Sequence, residues 1–234
     1  NAILGRIRPG DLGFDAMHIN THKTLSTPHG GGGPGSGPVC VAARLEPFLP
    51  QPKVYKNKDG SYGLSEDSAQ SIGYIAPYYG NFSVILRAYA YLLMCGGDGF
   101  QRISENAVLN ANYVRERLAP WYEQNYERSC MHECVLSASR QGAKGVRALD
   151  IAKALLDKGF HAPTVYFPLI VPEALMIEPA ETESKQTLDD FCEAMIDIAK
   201  QAEENPEALK NAPLSTPVGR LDEVGAARNP ILRA

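Results

Sequence analysis

Between Val84 and Met94 the chain is apolar almost without a break, with Arg87 the only charge. Val84, Leu86, Ala88, Tyr91 and Leu92 are too continuous for a surface stripe, so the pattern predicts a buried helix. Gly80-Asn81 opens it and Gly96-Gly97 ends it. The pattern then changes to a helical stripe over about 99–118. Ile103, Ala107, Leu109, Val114 and Leu118 oppose Glu105, Asn112, Arg115 and Glu116, with Asp98 as the expected cap and Pro120 as the stop.

Upstream the apolar runs are short. Asp15–Ile19 and Val39–Ala43 each read as a strand, and Lys53–Tyr55 and Ser61–Leu64 flank an Asp59-Gly60 hairpin turn. Downstream the pattern alternates: strand 132–137, helix 147–158 ended by Gly159, strands 164–169 and 174–178, and a helix from an N-capping Ser184 to about Glu204. That βαββα order describes a small α+β domain. The expected organisation is therefore 1–118 as part of a larger α/β domain, 119–204 as the small domain, and 205–234 as a proline-punctuated surface tail.

Composition changes this picture little. With 234 residues, 44% hydrophobic and 21% charged, the chain can bury a core. A net charge of −4 argues against nucleic acid or an anionic membrane as the main partner. No apolar run approaches the roughly 18 residues of a membrane span. Five scattered cysteines read as free thiols in a reducing cytoplasm. Asn1-Ala2-Ile3-Leu4-Gly5 reads as the middle of a longer sequence, so a fragment is expected.

The candidate chemistry lies in residues 18–38, where Lys23 is followed by Gly30, Gly31, Gly32, Gly33, Gly35 and Gly37, stiffened by Pro28, Pro34 and Pro38. Such a loop can bring backbone close to a ligand, at an entropic cost in the folded state. A Walker A loop needs its lysine after the glycines, and a dinucleotide fingerprint needs a helix where Val39 begins a strand, so neither fits. Lys23 is left as a phosphate partner, a general base or the amine of a Schiff base. His18 and His22 have the spacing of a helical metal pair but no carboxylate nearby to complete a set, so no metal is expected. His22 is read instead as a hydrogen-bond partner for a bound anion or cofactor beside Lys23.

The run His18-Ile-Asn-Thr-His-Lys23-Thr-Leu-Ser-Thr-Pro-His-Gly-Gly-Gly-Gly-Pro-Gly-Ser-Gly-Pro38 closely resembles the pyridoxal-phosphate loop of the glycine decarboxylase family, the P-proteins of the glycine cleavage system. It is most similar to the second subunit of bacteria that split the enzyme in two. The resemblance continues through Tyr79–Phe82, Ser104–Ala111, Asp150–Lys153, His161–Pro168, Met176–Pro179 and Arg220–Glu223. It implies a fold-type-I pyridoxal 5'-phosphate enzyme of the oxidoreductase class. Lys23 would be the Schiff-base lysine, and His22 and Asn20 would contact the cofactor. Glycine would be decarboxylated and its aminomethyl group passed to the lipoyl arm of the H-protein, with subunit 1 as partner and the glycine loop walling the pocket. The family's ring-nitrogen aspartate and stacking aromatic lie upstream of the lysine; here Asp11 and Asp15 precede it and do not match that motif. Ala180 stands where threonine is expected and Tyr74 where a basic residue is common. The other readings are a non-catalytic docking piece and another fold-type-I enzyme, desulfurase-like or transaminase-like.

Overall fold

The computed structural model describes residues 1–233 apart from Pro34, Pro77 and Tyr78. The chain divides into two compact units, one holding Ile3–Arg102 and the other running from Ile103 to the C-terminal end.

In the first unit, β1 (Ala16–His18) pairs antiparallel with β2 (Val39–Val41), and α1 (Thr21–Thr24) is a single turn between them. β3 (Lys53–Lys56) and β4 (Tyr62–Ser65) form the expected hairpin. Its turn needs Gly60 at φ +90, and Asn57 and Ser61 close it through a 2.8 Å backbone bond. α2 (Phe82–Leu118) carries the division between the units. Asn81 starts it by accepting a 3.2 Å bond from the Val84 amide. The expected interruption lies at Gly96, whose φ of 61 and ψ of −178 are tolerated essentially by glycine alone. Asp98 falls inside the helical run and is not the cap that the sequence suggests.

The 84–94 segment departs from expectation. Val84 and Ala88, one turn apart, are buried, but Leu86, Leu93 and Met94 are 52%, 66% and 84% exposed. A continuous apolar run registers how much surface a helix can bury on every side. Within this unit only one side of it is covered.

In the second unit, β5 (Cys134–Ser137), β6 (Thr164–Val165) and β7 (Ala174–Ile177) form an antiparallel sheet in the order β5-β7-β6, with Cys134 opposite Ile177 and Ser137 opposite Ala174. α3 (Ser139–Gly142) and α4 (Ala148–Asp157) follow β5, and α5 (Lys185–Glu204) follows β7. Leu118, Tyr122, Leu136, Ile151, Leu175 and Met195 lie at the centre of the core. The Tyr122 hydroxyl is satisfied there by donating to the Met195 carbonyl at 2.9 Å. Ser184 caps α5 as expected, its Oγ accepting from the Thr187 amide at 3.1 Å. The strand expected over 164–169 stops at Val165, because Tyr166 turns to φ 58 and leaves Leu169 and Ile170 exposed.

The segment after Asn205 is not wholly a surface tail. α6 (Pro206–Lys210) buries Leu209, and Ala212 is buried too. One face of α4 then holds residues 214–223. Asp157 accepts from the Leu214 and Ser215 amides and the Ser215 hydroxyl at 2.7–2.8 Å. Arg220 donates to Asp150 at 2.8 Å, and Lys153 pairs with Glu223 at 3.7 Å, at the start of α7 (Glu223–Arg228).

Candidate active site

The lysine stretch is closed at its base. The β1–β2 ladder continues through the Ile19 amide, which donates to the Pro38 carbonyl at 3.0 Å, so residues 20–37 form one excursion from paired strands. Within it the sequence winds into the turn α1 and not the open loop that the sequence suggests. Thr21 is buried and holds that turn from below: its hydroxyl donates to the Ser36 carbonyl at 2.7 Å and accepts from Thr27 at 3.1 Å. Leu25 is buried one turn on, and Ser26, at φ 57, accepts a 2.7 Å bond from Arg87 Nε. With Thr21 and Leu25 facing inward, Lys23 is turned outward and exposed.

His22 lies between these two directions. Its Nδ1 is buried with no hydrogen-bond partner, and its ring meets His29 edge-on at 4.6 Å. A buried ring nitrogen without a partner is costly unless a ligand or water completes it, which singles this atom out within the loop. Asn20 is engaged differently: its Oδ1 lies 2.8 Å from His18 Nε2.

The glycines turn much of their polarity inward. Gly30 and Gly31 have positive φ in a short 3-10 turn, Gly30–Gly32, and the amides of Gly31, Gly33 and Gly35 bond to His29 Nδ1, Gly30 and Gly33. Pro34 lies outside the described residues. Gly37 is required by close approach, since a Cβ there would fall 2.2 Å from His18 Cε1 and 3.0 Å from the Ile19 carbonyl oxygen. Asp11 and Asp15, the two carboxylates upstream of the loop, form ion pairs with Arg8 and Arg44.

The second unit has a cleft of its own, about 280 Å³, between Phe160, Phe191, His161, Glu178 and Glu183. By residue type alone, His161-Ala162-Pro163-Thr164 reads as a turn before a strand and Met176–Lys185 as solvated charge at a helix start. The pairing of β5 and β7, which sequence reading does not supply, brings His132 and Glu133 close to Glu178.

Residues 103–215 match the family described as glycine dehydrogenase, C-terminal domain. Over 233 residues the chain is 58% identical to probable glycine dehydrogenase (decarboxylating) subunit 2 of Lysinibacillus sphaericus and 59% identical to that of Caldanaerobacter subterraneus, in each case 48% of the relative. The chain thus spans about half the length of the curated relatives it matches. Among solved structures, it is similar to glycine decarboxylase (P-protein) of the glycine cleavage system in inhibitor-bound form. The TM-score is 0.67 at 19% identity, over 83% of this chain and 46% of that one. A C-DES mutant with glycine covalently linked to its PLP cofactor gives a TM-score of 0.58 at 8% identity, over 82% and 48%. These likenesses establish the fold, that of fold-type-I enzymes.

Proposed function

Since residues 103–215 belong to the glycine dehydrogenase C-terminal domain family, we propose that the chain is the lysine-bearing part of a pyridoxal-phosphate-dependent glycine decarboxylase. The observation that carries this reading is the pairing of an exposed Lys23 with the buried, unpartnered Nδ1 of His22 on one pinned turn. Lys23 holds the cofactor covalently through its amine, and His22 Nδ1 supplies a hydrogen bond to it or to its phosphate. Thr21 and Leu25 orient the lysine by anchoring the turn on either side. The bound cofactor supplies the electron sink for loss of CO₂ from glycine. Asn20, bonded to His18, acts as a positioning residue through the base of the loop.

Gly30, Gly31, Gly32, Gly33, Gly35 and Gly37 form a wall low enough for the lipoyl arm of an H-protein to receive the aminomethyl group. Asp11 and Asp15 are each engaged by an exposed arginine and do not match the family's motif, so the charge facing the cofactor ring nitrogen is assigned outside residues 1–23. Subunit 1 is the assembly partner, and the working compartment is the cytoplasm. Among the described residues no helix is long and apolar enough to cross a membrane. For a desulfurase-like reading Cys134 and Cys192 are poor persulfide carriers, since burial raises their thiols, the latter to about 11.

The test is to incubate the chain with pyridoxal phosphate, reduce it with borohydride and map the labelled peptide. A label confined to Lys23 and lost in Lys23→Ala is expected; labelling spread over surface lysines rejects the assignment. A second reading, a docking piece without turnover, is favoured by the exposure of Leu86, Leu93 and Met94. It predicts binding to subunit 1 with no specific label at Lys23.

A further inference from the structure

We propose that His132, Glu133 and Glu178 form a binding site for a divalent transition-metal cation of the zinc type. The inference does not rest on the assignment of Lys23, and none of these residues takes part in that chemistry. One ligand atom from each residue lies within 4.8 Å of the other two. Sheet register brings them together. Cys134 and Ile177 are the last paired residues of β5 and β7, and one step beyond them come Glu133 and Glu178, with His132 next to Glu133.

Two features separate this group from ordinary surface charge. First, carboxylates facing one another across a strand pair repel, a cost that a bound cation would relieve. The nearest imidazole nitrogen, His132 Nε2, is 3.8 Å from Glu178 Oε1, too far for a hydrogen bond. Two ligands of a tetrahedral zinc ion with bonds of about 2.1 Å are separated by roughly 3.4 Å; the His132–Glu178 pair reaches this with a shift of a few tenths of an ångström, and the set as a whole, within 4.8 Å, by side-chain rotation. Second, the imidazole is not committed elsewhere. Nδ1 of His132 is buried without a hydrogen-bond partner, so Nε2, the nitrogen that faces Glu178, is the one open to a cation.

The donor set of one imidazole and two carboxylates suits Zn²⁺ or a similar first-row ion. Glu178 also lines the 280 Å³ cleft, whereas His132 and Glu133 line a second one of about 410 Å³ with Arg115 and Arg128. A bound cation would therefore keep a coordination position open to a small anionic or carbonyl ligand from either side.

The experiment is calorimetric titration of the untagged chain with Zn²⁺, with Co²⁺ as the spectroscopic probe. One saturable site is expected, with affinity at least tenfold weaker in both Glu133→Gln and Glu178→Gln. These isosteric changes at partly exposed positions should leave the far-ultraviolet dichroism unchanged. Absence of saturable binding overturns the proposal, as does affinity within twofold of the parent in both variants. A thiolate charge-transfer band in the cobalt spectrum assigns binding to the cysteines and overturns it equally.

Discussion

At the scale of single residues, the lysine stretch shows how a few short side chains aim a longer one. Thr21 and Leu25 point inward, so Lys23 points out. The lysine and its glycines are conspicuous in the sequence, but the helical turn that presents the lysine is not. That turn depends on the Thr21–Ser36 bond across fifteen residues, a contact with no local signature. Asn20 is likewise legible as a polar neighbour of Lys23 but not as the partner of His18. Gly37 offers a direct check on how closely the loop is fitted. Gly37→Ala drives a methyl into the His18 ring and against the Ile19 carbonyl, which should cost about 1–3 kcal/mol, read as a lower urea midpoint. His18→Ala in the same background should restore part of that loss. Strict additivity of the two changes would mean that the close approach carries no energy.

At the scale of elements, caps and breaks are the most readable features because each is a local event. Asn81, Gly96, Gly60 and Ser184 all do what their residue types suggest. Burial is less readable. The apolar run 84–94 is a statement about local preference, whereas exposure depends on what lies against the helix. The tail departs from expectation for a related reason, since its anchors come from α4, some sixty residues earlier.

Those anchors make a pH prediction. Burial acts to raise the Asp157 carboxyl, but hydrogen bonds from Ser215 and Leu214 outweigh it and hold the pKa below the ordinary value. A lowered carboxylate pKa gives stability that is present above the unfolded value, about 3.9, and is lost as pH falls through the folded one. Amide-exchange protection at Leu214 and Ser215, corrected for intrinsic rates, should therefore fall away at acid pH. In Asp157→Asn it should already be weak at neutral pH. Unchanged protection in that variant would remove Asp157 from the account.

At the scale of the whole molecule, burial is uneven between the two units. Most of the large, fully buried side chains belong to the second, where α4 packs against both α5 and β6 of the three-stranded sheet. Residues 103–234 should accordingly fold when expressed alone and melt cooperatively, with a midpoint close to the main transition of the full chain. A broad, non-cooperative melt would show that the second unit cannot stand by itself. The βαββα order of this unit is legible because strand and helix periods alternate cleanly. The division after Arg102 is not, because it falls inside a helix that continues through it. The fastening of the final segment to α4 has a mechanical side as well. Its holds differ in strength: a 3.7 Å ion pair at Glu223, a charged hydrogen bond at Arg220 and a bundle of short bonds at Ser215. Tension applied at the C-terminus would meet them in that order, weakest first. The segment would peel away in steps, each step needing more force than the one before, and the core beneath would be loaded last.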